Sequence, residues 1–174
     1  MIKIWILPIA FGFLFASAYP PYNLEFLVWA GFLPLFYFFL KNPSLNTKYH
    51  ILNTNFIAGF IAGLAYFLIV MKWFWSVYPL DWIGIENKFL SFLLILAIWL
   101  ISAAGMALWW GLATFTAQTK NLKVKGKKYQ LLVFPAVFTI SEYLRSWFFG
   151  LLWAGAGTLW GPHWTIGNLA YSLH

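Results

Sequence analysis

The sequence predicts an all-α, polytopic integral membrane protein, a bundle of about five spanning helices followed by an irregular outer segment. Of the 174 residues, 63% are hydrophobic and only 9% are charged. Soluble domains average about 25% charged residues, so this chain lacks the charges needed to build a surface that faces water. Its apolar residues also fall into runs that approach the roughly 20 residues a helix needs to cross a bilayer.

Five apolar runs predict the five helices, within a single transmembrane domain that covers residues 1–174. The runs are Ile4–Ala18, Leu24–Leu40, Ile51–Met71, Phe89–Ala117 and Leu131–Trp153. The first run is short for a full span, and the fourth is long enough to be tilted or to protrude. Residues 154–174 are punctuated by glycine and by Pro162, which predicts the irregular outer segment.

The first run allows two interpretations. Lys3, the apolar stretch after it and Ala16-Ser17-Ala18 are also typical of a cleaved signal peptide. However, Tyr19-Pro20-Pro21-Tyr22 follows at once, and a second apolar run begins at Leu24. This order favours a retained helical hairpin with a proline-rich corner.

Basic residues predict the orientation of the chain. A net charge of +7 in a soluble protein would indicate nucleic acid, but here the lysines lie in connections between apolar runs, so no nucleic-acid partner is expected. Lysines fill the second–third and fourth–fifth connections, namely Lys41, Lys48, Lys120, Lys123, Lys125, Lys127 and Lys128. Lysine-rich connections stay in the cytoplasm, which predicts a cytoplasmic N-terminus.

Aromatic residues crowd the opposite, outer side. They are Tyr19, Tyr22, Trp73, Trp75, Tyr78, Trp82, Trp153, Trp160 and Trp164. Amphipathic rings favour the headgroup layer. The crowding predicts a surface that handles lipid or a partner, although some of the rings only anchor the chain.

Two charged residues lie inside the fifth run. Glu142 and Arg145 are three residues apart and therefore share a helix face, in the outer third of the predicted span. One interpretation is a structural ion pair, because charges inside a membrane segment are costly and usually paired. The other is contact between the Arg145 guanidinium and a lipid phosphate, which it fits by bidentate geometry.

Catalytic groups are scarce. The chain has no cysteine, which excludes disulfides, thiolate metal sites and a thiol nucleophile. His163 and His174 have no partner at the spacing of a metal site or a catalytic triad. We therefore expect no catalytic residue, no metal site and no cofactor in this chain.

Four stretches, in this order, resemble the N-terminal membrane part of the apolipoprotein N-acyltransferase family. The most specific is Pro135–Trp147, which is similar to a helix of the pattern PA-hydrophobic-E-aromatic-LR-x-W. The others are the corner Ala18–Asn23, the helix Phe60–Phe67 with Lys72-Trp73-Phe74-Trp75 after it, and Gly161-Pro162-His163-Trp164 with Gly167–Ser172. The chain departs from the family pattern between Trp147 and Gly161.

This resemblance implies an enzyme of the bacterial inner membrane with an eight-helix bundle and an extracytoplasmic nitrilase-like domain. A Glu–Lys–Cys triad in that domain takes an acyl chain from a phospholipid as a thioester. It passes the chain to the N-terminal diacylglyceryl-cysteine of a lipoprotein. The implied partners are a phospholipid acyl donor, a lipoprotein acceptor and the surrounding membrane lipids.

Without a cysteine, this chain is expected to be the scaffold and to be inactive alone. The nitrilase-like domain would act in cis or in trans, and the chain would come from an incomplete or split gene. Glu142, Arg145, Trp147 and Trp164 are the residues expected to face lipid or substrate. Two alternatives stay open: a small transporter or channel, with Ser102, Thr114 or Thr116 on its path, and a structural membrane subunit that packs against a separate partner.

Overall fold

A computed structural model describes residues 2–41, 50–118 and 127–153, and over these ranges the chain forms helices and no strand. The five α-helices are α1 (Ile2–Ser17), α2 (Leu27–Lys41), α3 (His50–Val70), α4 (Lys88–Gln118) and α5 (Lys127–Trp153). The all-α prediction is confirmed. Each apolar run forms a helix, and the largest difference in position is the start of α5 at Lys127 rather than Leu131.

Two helices in the described ranges are long and apolar enough to cross a membrane. They are Thr54–Val77, which continues α3 through a 3₁₀ segment, and Lys88–Ala117, which is most of α4. Trp5–Ser17 of α1 is a shorter apolar helix. Two candidate spans support a membrane protein, whereas five crossings stay a prediction.

Antiparallel packing of α3 against α4 forms the centre of the bundle. Small residues bring the two backbones close together: a Cβ added at Gly63 would lie 3.0 Å from the Cα of Ala107. One turn away, a Cβ added at Gly59 would meet the Thr114 hydroxyl. That hydroxyl donates across the interface to the Asn55 carbonyl at 2.8 Å. Close approach at small residues is the usual way that membrane helices associate.

The first two helices pack beside this pair. Gly12 of α1 lies against α3, where an added Cβ would approach the Cβ of Ala65 to 2.8 Å. Phe15 of α1 packs edge-on against Phe32 of α2, with ring centroids 4.8 Å apart. The aromatic rings of α1 are thereby held between α2 and the α3–α4 pair.

The connections α1–α2 and α3–α4 lie at the same end of the bundle, because successive helices joined by short connections alternate in direction. We call it the corner end. The first connection turns at Asn23, whose φ is 52°, and the Leu24 N–H donates to the Ser17 carbonyl at 3.0 Å. The second contains two 3₁₀ segments, Met71–Val77 and Asp81–Ile83, and turns at Gly84, whose φ of 84° favours glycine.

Candidate functional site

Glu142 and Arg145 form an ion pair inside the bundle. The Arg145 Nη2 donates to the Glu142 Oε2 at 3.0 Å, as the three-residue spacing predicts. Glu142 is 8% exposed and Arg145 is 0% exposed. Neither side chain faces the surroundings of the bundle, so the pair must be stabilised by the helices that cover it.

Helix α4 supplies the first cover. Trp110 and Met106 are four residues apart and share a face of α4. The Trp110 Nε1 donates to the Glu142 Oε1 at 2.7 Å, and the Arg145 Nη1 donates to the Met106 Sδ at 3.3 Å. Both carboxylate oxygens of Glu142 thus accept a hydrogen bond, one from each helix, which is the satisfaction that a buried charge requires.

Helix α3 completes the enclosure. The Arg145 guanidinium carbon lies 5.1 Å from the centroid of the Phe67 ring, within the range of a cation–π interaction. Tyr66 stacks on Trp110 with centroids 4.9 Å apart, and it interacts electrostatically with both members of the ion pair. We call Glu142, Arg145, Met106, Trp110, Tyr66 and Phe67 the Glu–Arg cluster.

Trp110 joins the cluster to α1 and packs against a further residue of α5. Its ring lies 5.5 Å from Phe11 and 6.4 Å from Phe15, both of α1. It lies 5.1 Å from Phe138 of α5. The ring therefore contacts three other helices, and its N–H fixes the carboxylate at the same time.

The cluster lies close to the corner end. Phe67 is three residues before the end of α3 at Val70, which is about 4.5 Å of helix rise. Tyr19, from the proline-rich corner, packs against the core that contains Tyr66 and Phe67. Because Arg145 contacts Phe67, the position of α5 can be transmitted to this end of α3.

Trp147 lies on a different side of α5 from the ion pair. Two residues after Arg145, a helix has turned by about 200°, and Trp147 therefore shares its side of α5 with the exposed residues Tyr143 and Leu144. Its indole Nε1 is buried and has no hydrogen-bond partner in the part of the chain that the structure describes. Trp164, like His163 and His174, lies outside the described residues.

Sequence reasoning missed four members of the cluster, because their partners are distant along the chain. Trp110 and Glu142 are separated by 32 residues, and Met106 and Arg145 by 39. Trp110 and Met106 lie in an apolar run where nothing distinguishes them from packing residues. Tyr66 and Phe67 lie in a motif that indicates the family but does not indicate a contact with the ion pair. Only the spacing of the two charges was a usable signal.

Of the residues expected on a transport path, Thr114 is engaged in helix packing, whereas Thr116 is exposed. The Thr116 hydroxyl donates within α4, to the Leu112 carbonyl at 2.9 Å, and Thr114 bonds to α3 as described. Ser102 is buried on the same stripe of α4 as Met106, and its hydroxyl has no hydrogen-bond partner among the described residues. No group of three His, Asp or Glu side chains in the described ranges could hold a metal ion.

Comparison with known proteins identifies the family to which this chain belongs. A family model described as the apolipoprotein N-acyltransferase N-terminal domain matches residues 11–172. The chain belongs to this family. A protein of Gloeobacter violaceus named apolipoprotein N-acyltransferase is 27% identical over 159 residues, which are 90% of this chain and 25% of that protein. No solved structure gives a significant match.

The resemblance inferred from the four motifs is therefore confirmed, and the chain spans about a quarter of the length of the curated relative. Two of the motifs meet in this apolipoprotein N-acyltransferase domain. Pro135–Trp147 carries the ion pair of α5, and Phe60–Phe67 supplies Tyr66 and Phe67 of α3. The Glu–Arg cluster is thus the place where the two stretches contact each other.

Proposed function

We propose that this chain is the membrane-embedded scaffold of an apolipoprotein N-acyltransferase, a family of enzymes that transfer an acyl chain from a phospholipid to the N-terminal diacylglyceryl-cysteine of lipoproteins. The observation that carries the proposal is the match of the N-terminal domain model to residues 11–172. The apolar helices Thr54–Val77 and Lys88–Ala117 support it, because such a scaffold needs helices that can cross a bilayer.

The chemistry belongs to another part of the enzyme. Thioester formation requires a thiolate, and the 174 residues include no cysteine. The proposed scaffold therefore serves a nitrilase-like domain, joined in cis or in trans, which holds the nucleophile. The phospholipid donor and the lipoprotein acceptor reach that domain beside the bundle.

The Glu–Arg cluster positions α5 in this scheme. Burial of both charges supports a positioning role for Glu142 and Arg145, the structural alternative of the two. Trp147, on the other side of α5, and Trp164 are proposed to line the face near lipid and substrate. With Phe67, three residues before the end of α3, against Arg145, a displacement of α5 would also disturb the corner end.

An activity measurement tests whether this chain serves as a scaffold while the nucleophile lies in another domain. The purified chain in phospholipid vesicles is expected to transfer no acyl group to a diacylglyceryl lipopeptide. A chimera in which the chain replaces the aligned quarter of the Gloeobacter violaceus protein is expected to restore transfer. Acyl transfer by the 174-residue chain alone would contradict the scaffold proposal, because no thiol would be present.

The proposed topology has five crossings of the bacterial inner membrane and a cytoplasmic N-terminus. The absence of cysteine makes it testable by single substitutions. In intact cells, a membrane-impermeant maleimide should label Glu86→Cys, in the outer connection, and should leave Lys48→Cys and Lys123→Cys unlabelled until the membrane is opened. The opposite pattern would invert the topology.

A further inference from the structure

The connection between α3 and α4 exposes an unusual set of large side chains. Trp73, Tyr78 and Ile83 are exposed, while Trp82 is 69% exposed and Phe89, at the start of α4, is 70% exposed. Each lies within a few residues of the next along the chain, and all of them lie at the corner end. We call residues 71–89 the aromatic connection. In water, this much apolar area would be costly.

The backbone of the aromatic connection is hydrogen-bonded within itself. The Tyr78 N–H donates to the Trp75 carbonyl, and the N–H groups of Ile83 and Ile85 both donate to Leu80. The Trp82 Nε1 donates to the Val77 carbonyl at 3.2 Å, which fixes the exposed ring. A segment that meets its own polar requirements can lie in a region poor in water, where unpaired backbone groups are costly.

Charges of both signs are interleaved with the rings. Lys72 and Lys88 lie near the two ends of the connection, Asp81 and Glu86 lie between them, and all four side chains are exposed. The positive-inside rule does not explain two lysines at this end, since it assigns basic residues to the other end. A balanced set of cations and anions complements zwitterionic headgroups, which carry a phosphate and an ammonium. The centre of a protein interface is instead depleted of such charges.

The apolar surface continues from the connection along α4. Phe89, Leu93, Ile101, Leu108 and Leu112 are all exposed and recur at helical spacing on one side of α4. Such a stripe on a helix long enough to span is the side expected to face lipid tails. The rings of the connection therefore lie at the level where that stripe reaches the headgroups.

We propose that the aromatic connection is a lipid-binding surface that lies within the headgroup layer, with Trp82, Ile83 and Phe89 inserted below the phosphates and Asp81 and Glu86 facing water. The partner is a zwitterionic phospholipid surface. This inference rests on the membrane placement proposed above, and it adds a docking surface separate from the Glu–Arg cluster. Tryptophan and tyrosine are the residues that favour this layer.

Single cysteines in the otherwise cysteine-free chain test which side chains of the connection are inserted among the headgroups and which face water. Ile83→Cys and Asp81→Cys are neighbours with exposed side chains, so neither substitution should disturb the fold. The chain is reconstituted into phosphatidylcholine vesicles and treated with a membrane-impermeant maleimide. The Ile83→Cys variant should react about tenfold more slowly than Asp81→Cys, which corresponds to about 1.4 kcal/mol. A fluorophore at position 83 should be quenched by lipids brominated near the headgroup.

Ile101→Cys, in the middle of the α4 stripe, tests the proposed membrane location of α4 independently of this inference. One outcome would show that the inference alone is wrong. In it, a fluorophore at position 101 is quenched by deeply brominated lipids, but Ile83→Cys reacts with the maleimide as fast as Asp81→Cys and a fluorophore at position 83 is not quenched by lipids brominated near the headgroup. If position 101 is not quenched, both the placement and the inference are wrong. Protection of position 83 only in native membranes, and not in phosphatidylcholine vesicles, would assign the surface to a protein partner and overturn the proposal.

Discussion

The Glu–Arg cluster and the aromatic connection use the same residue types near one end of the bundle, with opposite burial. In the cluster, Arg145 is fully buried, paired with Glu142 of its own helix and covered by residues of α3 and α4. In the connection, Lys72 and Trp82 are exposed. A tryptophan near a charged residue is therefore part of a positioning element in the Glu–Arg cluster and part of the proposed interfacial surface in the aromatic connection. Burial, rather than composition, separates the two.

The difference has an energetic consequence. Removing one member of a buried pair leaves an uncompensated charge and costs about 3–5 kcal/mol, whereas exposed charges contribute about 0–1 kcal/mol. Substitutions in the cluster should therefore reduce stability strongly, and equivalent substitutions in the connection should hardly change it.

The largest effect is expected from Glu142→Ala. The change leaves the Arg145 guanidinium buried without its carboxylate, and the free energy of unfolding should fall by about 3–5 kcal/mol. Unfolding by added SDS in mixed micelles measures the loss. Glu86→Ala, which removes an exposed carboxylate, is the matched control. An equal effect of the two substitutions would contradict the contrast between cluster and connection.

The double variant Glu142→Leu/Arg145→Met sharpens the same comparison. Replacing a whole buried pair with apolar residues is often neutral, so this variant should recover most of the stability that Glu142→Ala loses. Failure to recover in the same SDS titration would mean that the pair acts through something other than mutual neutralisation.

An intermediate effect is expected from Trp110→Phe. The substitution keeps a ring between α1, α3 and α5 but removes the donor to Glu142. A hydrogen bond to a charged group contributes about 1.5–3 kcal/mol. Trp99→Phe removes a bond from the Trp99 Nε1 to the neutral Leu68 carbonyl, and should cost about 0.5–1.5 kcal/mol. Equal losses of stability would show that the Glu142 carboxylate does not depend on Trp110.

A similar or smaller loss is expected from Gly59→Val. An added Cβ would meet the Thr114 hydroxyl and lie 2.5 Å from the Trp110 carbonyl, so α3 and α4 must separate at a cost of about 1–3 kcal/mol. Ala97→Val, on the exposed side of α4, is the control and should leave the SDS midpoint close to that of the parent. A midpoint for Gly59→Val equal to the control would contradict the close approach of the helices.

The smallest effect is expected in the aromatic connection. Trp82→Ala and Lys72→Ala should each change the free energy of unfolding in detergent by no more than about 0.5 kcal/mol, because both side chains are exposed. The two variants should instead weaken quenching of the remaining tryptophans by lipids brominated near the headgroup. A large loss of stability in detergent would mean that these side chains help to hold the fold together.

The helices could be predicted from the apolar runs, but their ends and contacts could not. Helix α5 begins at Lys127 because lysine and glutamine are good helix formers, whereas hydropathy detects only the apolar part of the helix. Helix α2 begins at Leu27 because the N–H groups of Leu24 and Leu27 are used in turns of the corner. Pro34 and Pro135 lie inside helices, as membrane proteins tolerate.

The candidate site was predictable only where its members are close along the chain. The Glu142–Arg145 pair follows from helical spacing, whereas Trp110 and Phe67 reach it through the packing of three helices. By the family resemblance, Trp147 is expected to face lipid or substrate, and this stays a prediction. The motif was informative about the family, but helical geometry turns Trp147 to the other side of α5.

One consequence of the three-residue spacing concerns biosynthesis. Because the counter-ion of Arg145 is on its own helix, neutralisation does not need to wait for α4 to arrive. In the proposed topology of five crossings, the two charges of α5 would already compensate each other as the helix enters the bilayer, which would lower the cost of inserting an arginine into hydrocarbon. The contacts with Met106, Trp110 and Phe67 can then form later, when the inserted segments assemble sideways.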